Sequence, residues 1–290
     1  MLDFLRMSSS FYTNAHKGQL RRVIPDLIRA RQVLTDLVWK DIRVRYRYAV
    51  MGFCWAIIEP LIMMAVLTFV FAYLFQIRFP GAAGDASPRE TAVNILTGLI
   101  VWQFFSNGLT AATNSLTESR ALVTKVNFPR EVLPLSAIGV SLVNLVIGAG
   151  LLLVIYSVLL IKLPGVAIVW LPAIFVIELV MVCGLGLLFS SLNASFRDVG
   201  YMVNAALLFG FYASPIFYEP GLVQEAFPRL HQLYFVNPMA GLITAYREAL
   251  FLNQAPSPRF FVWPMIFAIL SLVAGIYVFR KSAPTMADKM

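Results

Sequence analysis

Residues 132–161 read VLPLSAIGVSLVNLVIGAGLLLVIYSVLLI, a run of thirty positions without a charged side chain. A helix needs about 20 mostly apolar residues to cross the roughly 30 Å hydrocarbon core of a bilayer. The run is long enough for such a crossing. Its uninterrupted apolarity favours a helix over the alternating pattern of a membrane β-barrel.

The composition of the whole chain agrees with this reading. Hydrophobic residues make up 59% of the 290 residues and charged residues 13%, against roughly 45–50% and about 25% in an ordinary soluble domain. Too little polar surface remains to cover a water-soluble globule, and the many apolar side chains exclude a disordered chain. The sequence therefore predicts an integral membrane protein of the all-α class.

Five further stretches have the length and apolarity of a span. We expect six transmembrane helices in each protomer, at about 50–75, 91–113, 132–161, 166–190, 199–218 and 260–279. Residues 219–259 contain Arg247 and Glu248, each of which would cost about 2.5–3.5 kcal/mol at the bilayer centre. This segment is predicted to form short re-entrant outer helices between spans five and six.

The basic residues indicate the orientation. Ten of the 23 Lys and Arg lie in residues 1–49, and with the N-terminus inside the cell the predicted inner segments carry 17 of them. The positive-inside rule then places both termini in the cytoplasm. We expect residues 1–49 to be a cytoplasmic segment with an amphipathic interface helix, 50–280 a six-span domain and 281–290 a cytoplasmic tail.

The basic N-terminal cluster has two explanations. Such clusters can bind nucleic acid, but this one lies beside a membrane span, where attraction to anionic lipid headgroups accounts for it. We therefore expect membrane lipids and no nucleic acid among the partners.

Sequence motifs for catalysis are missing from the chain. It contains no GxxxxGK[ST] phosphate-binding loop, no Asp-x-Asp pair and no GxSxG nucleophile motif. Its two cysteines, Cys54 and Cys183, fall in apolar runs, and no pair of potential metal ligands has a known spacing. We expect no catalytic residue, metal or cofactor in this chain, so energy for transport would have to enter through another polypeptide.

A few polar and aromatic residues are candidates for a transport path. Glu59 and Glu178 are the only charged residues in the predicted spans. For both, the preferred explanation is a carboxyl group that is hydrogen-bonded within the bundle; the alternative is a residue that lines a transport path. Aromatic rings on spans two and five form either an interfacial belt or a conduit with apolar faces for sugar rings. The candidate lining residues are Glu59, Trp102, Phe105, Phe211, Tyr212 and Tyr218.

Several motifs occur in a fixed order along the chain. They are KDIRVRYR at 40–47, GFCWAIIEP at 52–60, GLIVWQFF at 98–105 and LVTKVNFPREVLP at 122–134. Together they resemble the membrane-spanning (permease) subunit of type-2 ABC exporters, in the branch that exports O-antigen, capsular polysaccharide and teichoic acid. The resemblance runs from about Leu34 to Arg280.

This resemblance implies a homodimer bound to two cytoplasmic ATPase subunits, which carry the ATP and Mg, in the inner membrane of a bacterium. The substrate would be a lipid-linked glycan that moves through a channel between the protomers, lined by spans one and five. The segments 115–130 and 193–198 would contact the ATPases. The residues assigned to that coupling are Arg120, Lys125, Phe128, Arg130, Glu131, Arg197 and Asp198.

In the transport mechanism that the resemblance implies, the pyrophosphate of the lipid-linked glycan would lie near Arg43, Arg45 and Arg47. Arginine suits this role because it forms charge-assisted hydrogen bonds to phosphate. Headgroup anchoring explains these three residues nearly as well. Three alternative functions stay open: a type-2 exporter of a drug or small lipid, a membrane-embedded glycosyl- or acyltransferase, and an ion-driven carrier. The scarcity of acidic pairs and of charge within the spans counts against the last two.

Overall fold

The computed structural model describes residues 30–47, 54–76, 79, 87–125, 128–161, 164–226 and 234–283. Helices dominate these residues, and no β-strand occurs among them, which confirms the all-α prediction. The helices are α1 (Arg31–Arg47), α2 (Trp55–Thr68), α3 (Pro88–Glu118), α4 (Arg120–Lys125), α5 (Val132–Leu160), α6 (Leu171–Ser195), α7 (Asp198–Ala213), α8 (Pro220–Ala226), α9 (Pro238–Phe251) and α10 (Pro258–Ser282).

Proline is the first residue of four of these helices, α3, α8, α9 and α10. Helices α3, α9 and α10 each begin with a proline that follows Ser or Asn. The side chain of Ser87 accepts a hydrogen bond from the Glu90 backbone N–H, and that of Asn237 accepts one from Met239. These caps satisfy donors that have no partner within the helix, and proline tolerates the first turn because it has no N–H to satisfy.

Five helices of the described chain are long and apolar enough to cross a membrane. They are Trp55–Leu74 (α2 with a π-helical last part), Pro88–Glu118, Val132–Leu160, Val166–Ser195 (α6 with the 3₁₀ turn before it) and Pro258–Ser282. The predicted fifth span, 199–218, corresponds to α7, whose 16 residues extend only about 24 Å. The count of six spans therefore stays a prediction. The segment 219–259 contains α8 and α9, and its position at the outer leaflet also stays a prediction.

Helix α3 is the centre of the bundle. It packs against α2, α5, α6, α7 and α9, and most residues of its apolar stretch are buried. Thr91, Thr97 and Thr113 are buried on it, and Thr97 and Thr113 donate their hydroxyls to carbonyls one turn earlier. Polar side chains can thus lie inside the bundle because their own helix satisfies them.

Helices α6 and α10 approach each other closely at two glycines. A β-carbon added to Gly275 would overlap the backbone carbonyl of Gly184, and one added to Gly184 would overlap the backbone of Leu272. Small residues at such a crossing let helix backbones touch, which is a main source of packing energy between helices in lipid.

Arg247 of α9 joins three segments at the predicted outer end of the bundle. Its side chain is buried and donates to the carbonyls of Asn94 (3.1 Å), Ile216 (2.8 Å) and Tyr218 (3.4 Å). The guanidinium also lies 4.5 Å from the centre of the Phe79 ring. It therefore ties α9 to the start of α3 and to the turn after α7; we call these contacts the Arg247 clasp.

At the opposite, predicted inner end, α1 packs on α5. The Glu131 carboxylate pairs with Arg280 at 3.2 Å, which joins the start of α5 to the end of α10, and Arg130 donates to the Ala283 carbonyl. A small apolar cluster that includes Leu116, Val132 and Phe279 lies above these polar contacts. The ends of α3, α5 and α10 are thus held together on the side that the basic residues assign to the cytoplasm.

Candidate functional site

A long groove in the described chain runs along the bundle between α2, α3, α5 and α7. Its volume is about 1000 Å³. Each of the four helices contributes both apolar and polar or aromatic side chains to the lining. We call it the central groove.

One face of α3 gives the central groove its polar side. Gln103, Asn107, Thr110 and Asn114 all line it, at spacings of three and four residues, and such spacings place side chains on a single face of a helix. Among the described residues, the side-chain amides of Gln103 and Asn107 have no hydrogen-bond partner. We call these four residues the α3 polar stripe.

The other helices face this stripe with further polar groups. Ser141 and Asn144 come from α5, Asn204 from α7 and Glu59 from α2. Thr110 donates its hydroxyl to the Asn204 side-chain oxygen at 3.3 Å, and this bond joins the stripe to α7. An amide left without a partner in hydrocarbon costs several kcal/mol, so these groups indicate that the groove holds water or a polar ligand.

Aromatic rings continue from the lining of the groove towards its predicted outer end. Trp102 lies 6.2 Å from Phe211, centre to centre, and Phe211 lies 5.7 Å from Phe217. Phe217 in turn stacks on Phe71 at 4.5 Å. A β-carbon on Gly210 would be 2.8 Å from the Trp102 ring, so a glycine is what allows α7 to approach that ring. The polar stripe therefore ends in an aromatic cluster.

The structure places the predicted lining residues in two groups. Glu59, Trp102, Phe211 and Tyr212 line the central groove, and Glu59 is exposed there. Phe105 is buried in the core, 5.5 Å from Trp102 between ring centres, and Tyr218 lies beyond the groove with its hydroxyl 3.0 Å from that of Tyr234. The role of all six in transport stays a prediction.

The predicted coupling residues also separate by environment. Arg120 is exposed at the start of α4, and Arg197 and Asp198 are exposed at the junction of α6 and α7. Phe128 is buried in the inner apolar cluster, and the side chain of Lys125 lies outside the described residues. Arg130 and Glu131 are half-buried and make the contacts with the end of α10 given above. These positions do not test the predicted contacts with an ATPase, which stay a prediction.

The three arginines assigned to pyrophosphate lie on the last turns of α1. Arg43 is exposed, and the side chains of Arg45 and Arg47 lie outside the described residues. Glu178, the second charged residue within the spans, is completely buried and accepts a hydrogen bond from the Tyr246 hydroxyl at 3.0 Å. It therefore connects α6 to α9 and lies away from the groove.

Sequence analysis missed the α3 polar stripe, although its signal was present. Gln103, Asn107, Thr110 and Asn114 recur with helical spacing in an otherwise apolar run. A search of that run for charged residues alone does not detect neutral amides and hydroxyls. The electrostatics at the outer end were also missed: burial raises the pKa of the Glu219 carboxyl, and the nearby charge of Arg247 opposes that shift.

Comparisons with known proteins agree with this architecture. The sequence profile of the ABC-2 type transporter family matches residues 32–251. An O-antigen export system permease protein RfbA from Myxococcus xanthus is 26% identical over 269 residues, which cover 93% of this chain and 99% of that protein. A protein of the same name from Klebsiella pneumoniae is 27% identical over 249 residues, covering 86% of this chain and 91% of its own length.

These matches confirm the resemblance to the membrane subunits of type-2 ABC exporters. The family match covers more than half of the chain and includes α1 to α9, and thus every helix that lines the central groove. The chain belongs to the ABC-2 type transporter family.

Proposed function

We propose that this chain is the membrane subunit of an ATP-driven exporter that moves a lipid-linked polysaccharide, of the O-antigen or capsule type, across the inner membrane of a bacterium. The observation that carries the proposal is the α3 polar stripe inside an apolar bundle. Its amides and hydroxyls can exchange hydrogen bonds with sugar hydroxyls, and the rings beyond them offer apolar faces to sugar C–H groups.

The relatives support the choice of substrate class. Both are named O-antigen export system permeases, and each aligns over most of its own length. A drug or small-lipid exporter would share the family and the helical plan. It would have less use for the amides of Gln103 and Asn107, because a mostly apolar cargo cannot pair with them.

A second copy of the chain would complete the path. The groove is open along α2 and α7, and large apolar side chains are exposed on both helices, among them Val66, Phe69, Tyr201 and Phe209. A symmetric partner placed there would close the groove from the open side and cover these side chains. In this arrangement α7, extended by residues 214–218, serves as the fifth of six spans, and both termini lie in the cytoplasm.

The energy would come from two ATPase subunits that bind ATP and Mg. The chain has no phosphate-binding loop of its own. The start of α4 and the junction of α6 and α7 expose Arg120, Arg197 and Asp198 on the predicted inner side, where a cytoplasmic partner can contact them. The Glu131–Arg280 ion pair would transmit a movement of residues 115–130 to α10. Arg43, Arg45 and Arg47 would first receive the substrate lipid at the interface.

Removing the amides of the stripe tests the proposal directly. In the double variant Gln103→Leu with Asn107→Leu, we expect polysaccharide export to fall by about tenfold or more, because each lost hydrogen bond weakens contact by about 1 kcal/mol. Export is measured as surface polysaccharide in cells that depend on this chain. The amount of folded protein in the membrane is measured in the same cells.

The matched control is Gln103→Asn with Asn107→Gln, which keeps both amides and changes only their reach. We expect this pair to retain most of the export activity. Equal export from the apolar and the amide-keeping variants, at equal protein levels, would exclude the stripe as the polysaccharide path.

A further inference from the structure

A second cavity of about 490 Å³ lies at the predicted inner end, between the end of α3, the end of α6 and the start of α7. It shares Asn114 and Asn204 with the central groove. The two cavities therefore meet at these residues, and a ligand in the smaller one would occupy the inner mouth of the larger. We call the smaller cavity the inner-mouth pocket.

The charged side chains that line this pocket in the described chain are both basic. Arg120 and Arg197 both line it, and none of its lining residues in the described chain is Asp or Glu. Glu118 lines the adjoining central groove and Asp198 lies in the first turn of α7, but neither lines this pocket. The backbone of Gly200, in the first turn of α7, lies at the same wall, where the positive end of the helix dipole adds to the field.

A buried asparagine holds the pocket in shape. Asn193, 4% exposed, donates to the Thr113 carbonyl at 3.0 Å and to the Asn114 side-chain oxygen at 3.3 Å, and it accepts from the Gly200 N–H at 3.0 Å. These bonds tie α6 to α3 and α7. Because the Asn114 oxygen is used by Asn193, its NH₂ group is left as a donor beside the two guanidiniums.

We propose that the inner-mouth pocket binds the phosphate or pyrophosphate group of the substrate's lipid carrier. The inference rests on the proposed function, because it assigns to this site the anionic link between lipid and glycan. Two arginines, an amide donor and the start of α7 are a suitable set for a phosphate ester, and Asp198, in the first turn of that helix, stays outside the pocket lining. An anion held here would present the attached glycan to Asn114 and then to the rest of the α3 polar stripe.

This assignment differs from the role of Arg43, Arg45 and Arg47. Those residues lie on the interface helix and would collect the lipid from the membrane. The inner-mouth pocket would hold the head group at the entrance of the path. It also gives Arg120 and Arg197 a ligand other than the ATPase.

The experiment measures anion binding to the purified complex of this chain with its ATPase subunits. The probes are inorganic pyrophosphate, farnesyl pyrophosphate and, separately, vesicles of phosphatidylglycerol compared with phosphatidylcholine. In the variant Arg120→Gln with Arg197→Gln, we expect the affinity for farnesyl pyrophosphate to fall by about tenfold or more, because charge-assisted hydrogen bonds are lost. The variant Arg197→Lys keeps the charge and should lose less.

The control is Arg259→Gln, which removes an exposed arginine at the predicted outer end and should leave pyrophosphate affinity unchanged. A loss restricted to the two pyrophosphates would support a site for the carrier's head group, and an equal loss for phosphatidylglycerol would support the same anion chemistry with an ordinary lipid as its source. Unchanged affinity for all probes, with loss of the copurifying ATPase, would overturn the inference in favour of a protein contact.

These outcomes are separable from a failure of the proposed function. If the stripe variants lose export while the arginine variants bind pyrophosphate normally, the polysaccharide path stands and the anion site falls. If the arginine variants lose pyrophosphate while the stripe variants export normally, the anion site stands and the path falls.

Discussion

Replacing Gly275 by leucine should remove almost all folded protein from the membrane. The added side chain would have to enter the space taken by the Gly184 carbonyl, and backbone atoms cannot move aside as a side chain can. Overpacking in a core usually costs about 1–3 kcal/mol and more where nothing can relax. Separation of α6 from α10 would also remove a packed helix pair on which α9 rests.

The measurement is the yield and thermal stability of monodisperse protein in detergent. Gly275→Ala should fold but melt more than about 5 °C lower, since even one methyl group meets the opposing backbone. The adjacent Ala274 is exposed, so Ala274→Leu is the matched control and should keep its yield. Equal behaviour of Gly275→Leu and Ala274→Leu would show that the two helices do not meet at this glycine.

The second large effect is expected at the Arg247 clasp. In Arg247→Met, an apolar side chain of similar length replaces the guanidinium, and the carbonyls of Ile216 and Tyr218 lose their donor in a turn that has no helical bonds to replace it. Bonds to a charged donor are worth about 1.5–3 kcal/mol each. The variant no longer has to bury a charged group, and the avoided cost of desolvation offsets part of this loss. We therefore expect a net local destabilisation of about 2–4 kcal/mol.

Hydrogen exchange detects that loss where it occurs. Amides in 214–218 and in α9 should exchange about 10-fold or more faster in Arg247→Met, while those of the α6–α10 pair stay protected. Arg89→Met serves as the control, because that side chain is exposed at the same end of the bundle, at the start of α3. Faster exchange in both variants, or in neither, would contradict a clasp formed by Arg247.

The apolar runs were enough to predict the helices, since length and apolarity alone decide whether a segment can cross a bilayer. Residues 132–161 form α5 almost end to end. The short α7 is the exception: its apolar run continues to Tyr218, but the helix stops at Ala213 before Ser214 and Pro215. A proline removes a backbone donor and restricts the residue before it, so apolarity there does not extend the helix.

The clasp and the glycine contact were beyond the reach of the sequence. Arg247 was identified only as a cost to insertion, and the carbonyls that compensate it come from positions 94, 216 and 218, brought together by the fold. Gly184 and Gly275 lie 91 positions apart and show no GxxxG pattern. Long-range partners of this kind depend on which helix faces meet, and apolarity alone leaves those faces undetermined.

The candidate site was predicted by chemistry in part. Glu59 was chosen as a charged residue within a span, and Trp102, Phe211 and Tyr212 were chosen as aromatic residues of spans two and five. All four line the central groove. Gln103 and Asn107 were passed over because neutral amides do not interrupt an apolar run. An amide without a hydrogen-bond partner in a membrane helix therefore marks a candidate functional position, as a charged residue does.

The most direct test of the account is reconstitution of the purified chain into liposomes with and without its ATPase subunits. We predict that a lipid-linked polysaccharide reaches the far leaflet only when the ATPase, ATP and Mg are all present. We also predict that the chain by itself hydrolyses no ATP. Polysaccharide movement driven by this chain alone, or by an ion gradient without the ATPase, would contradict the central claim.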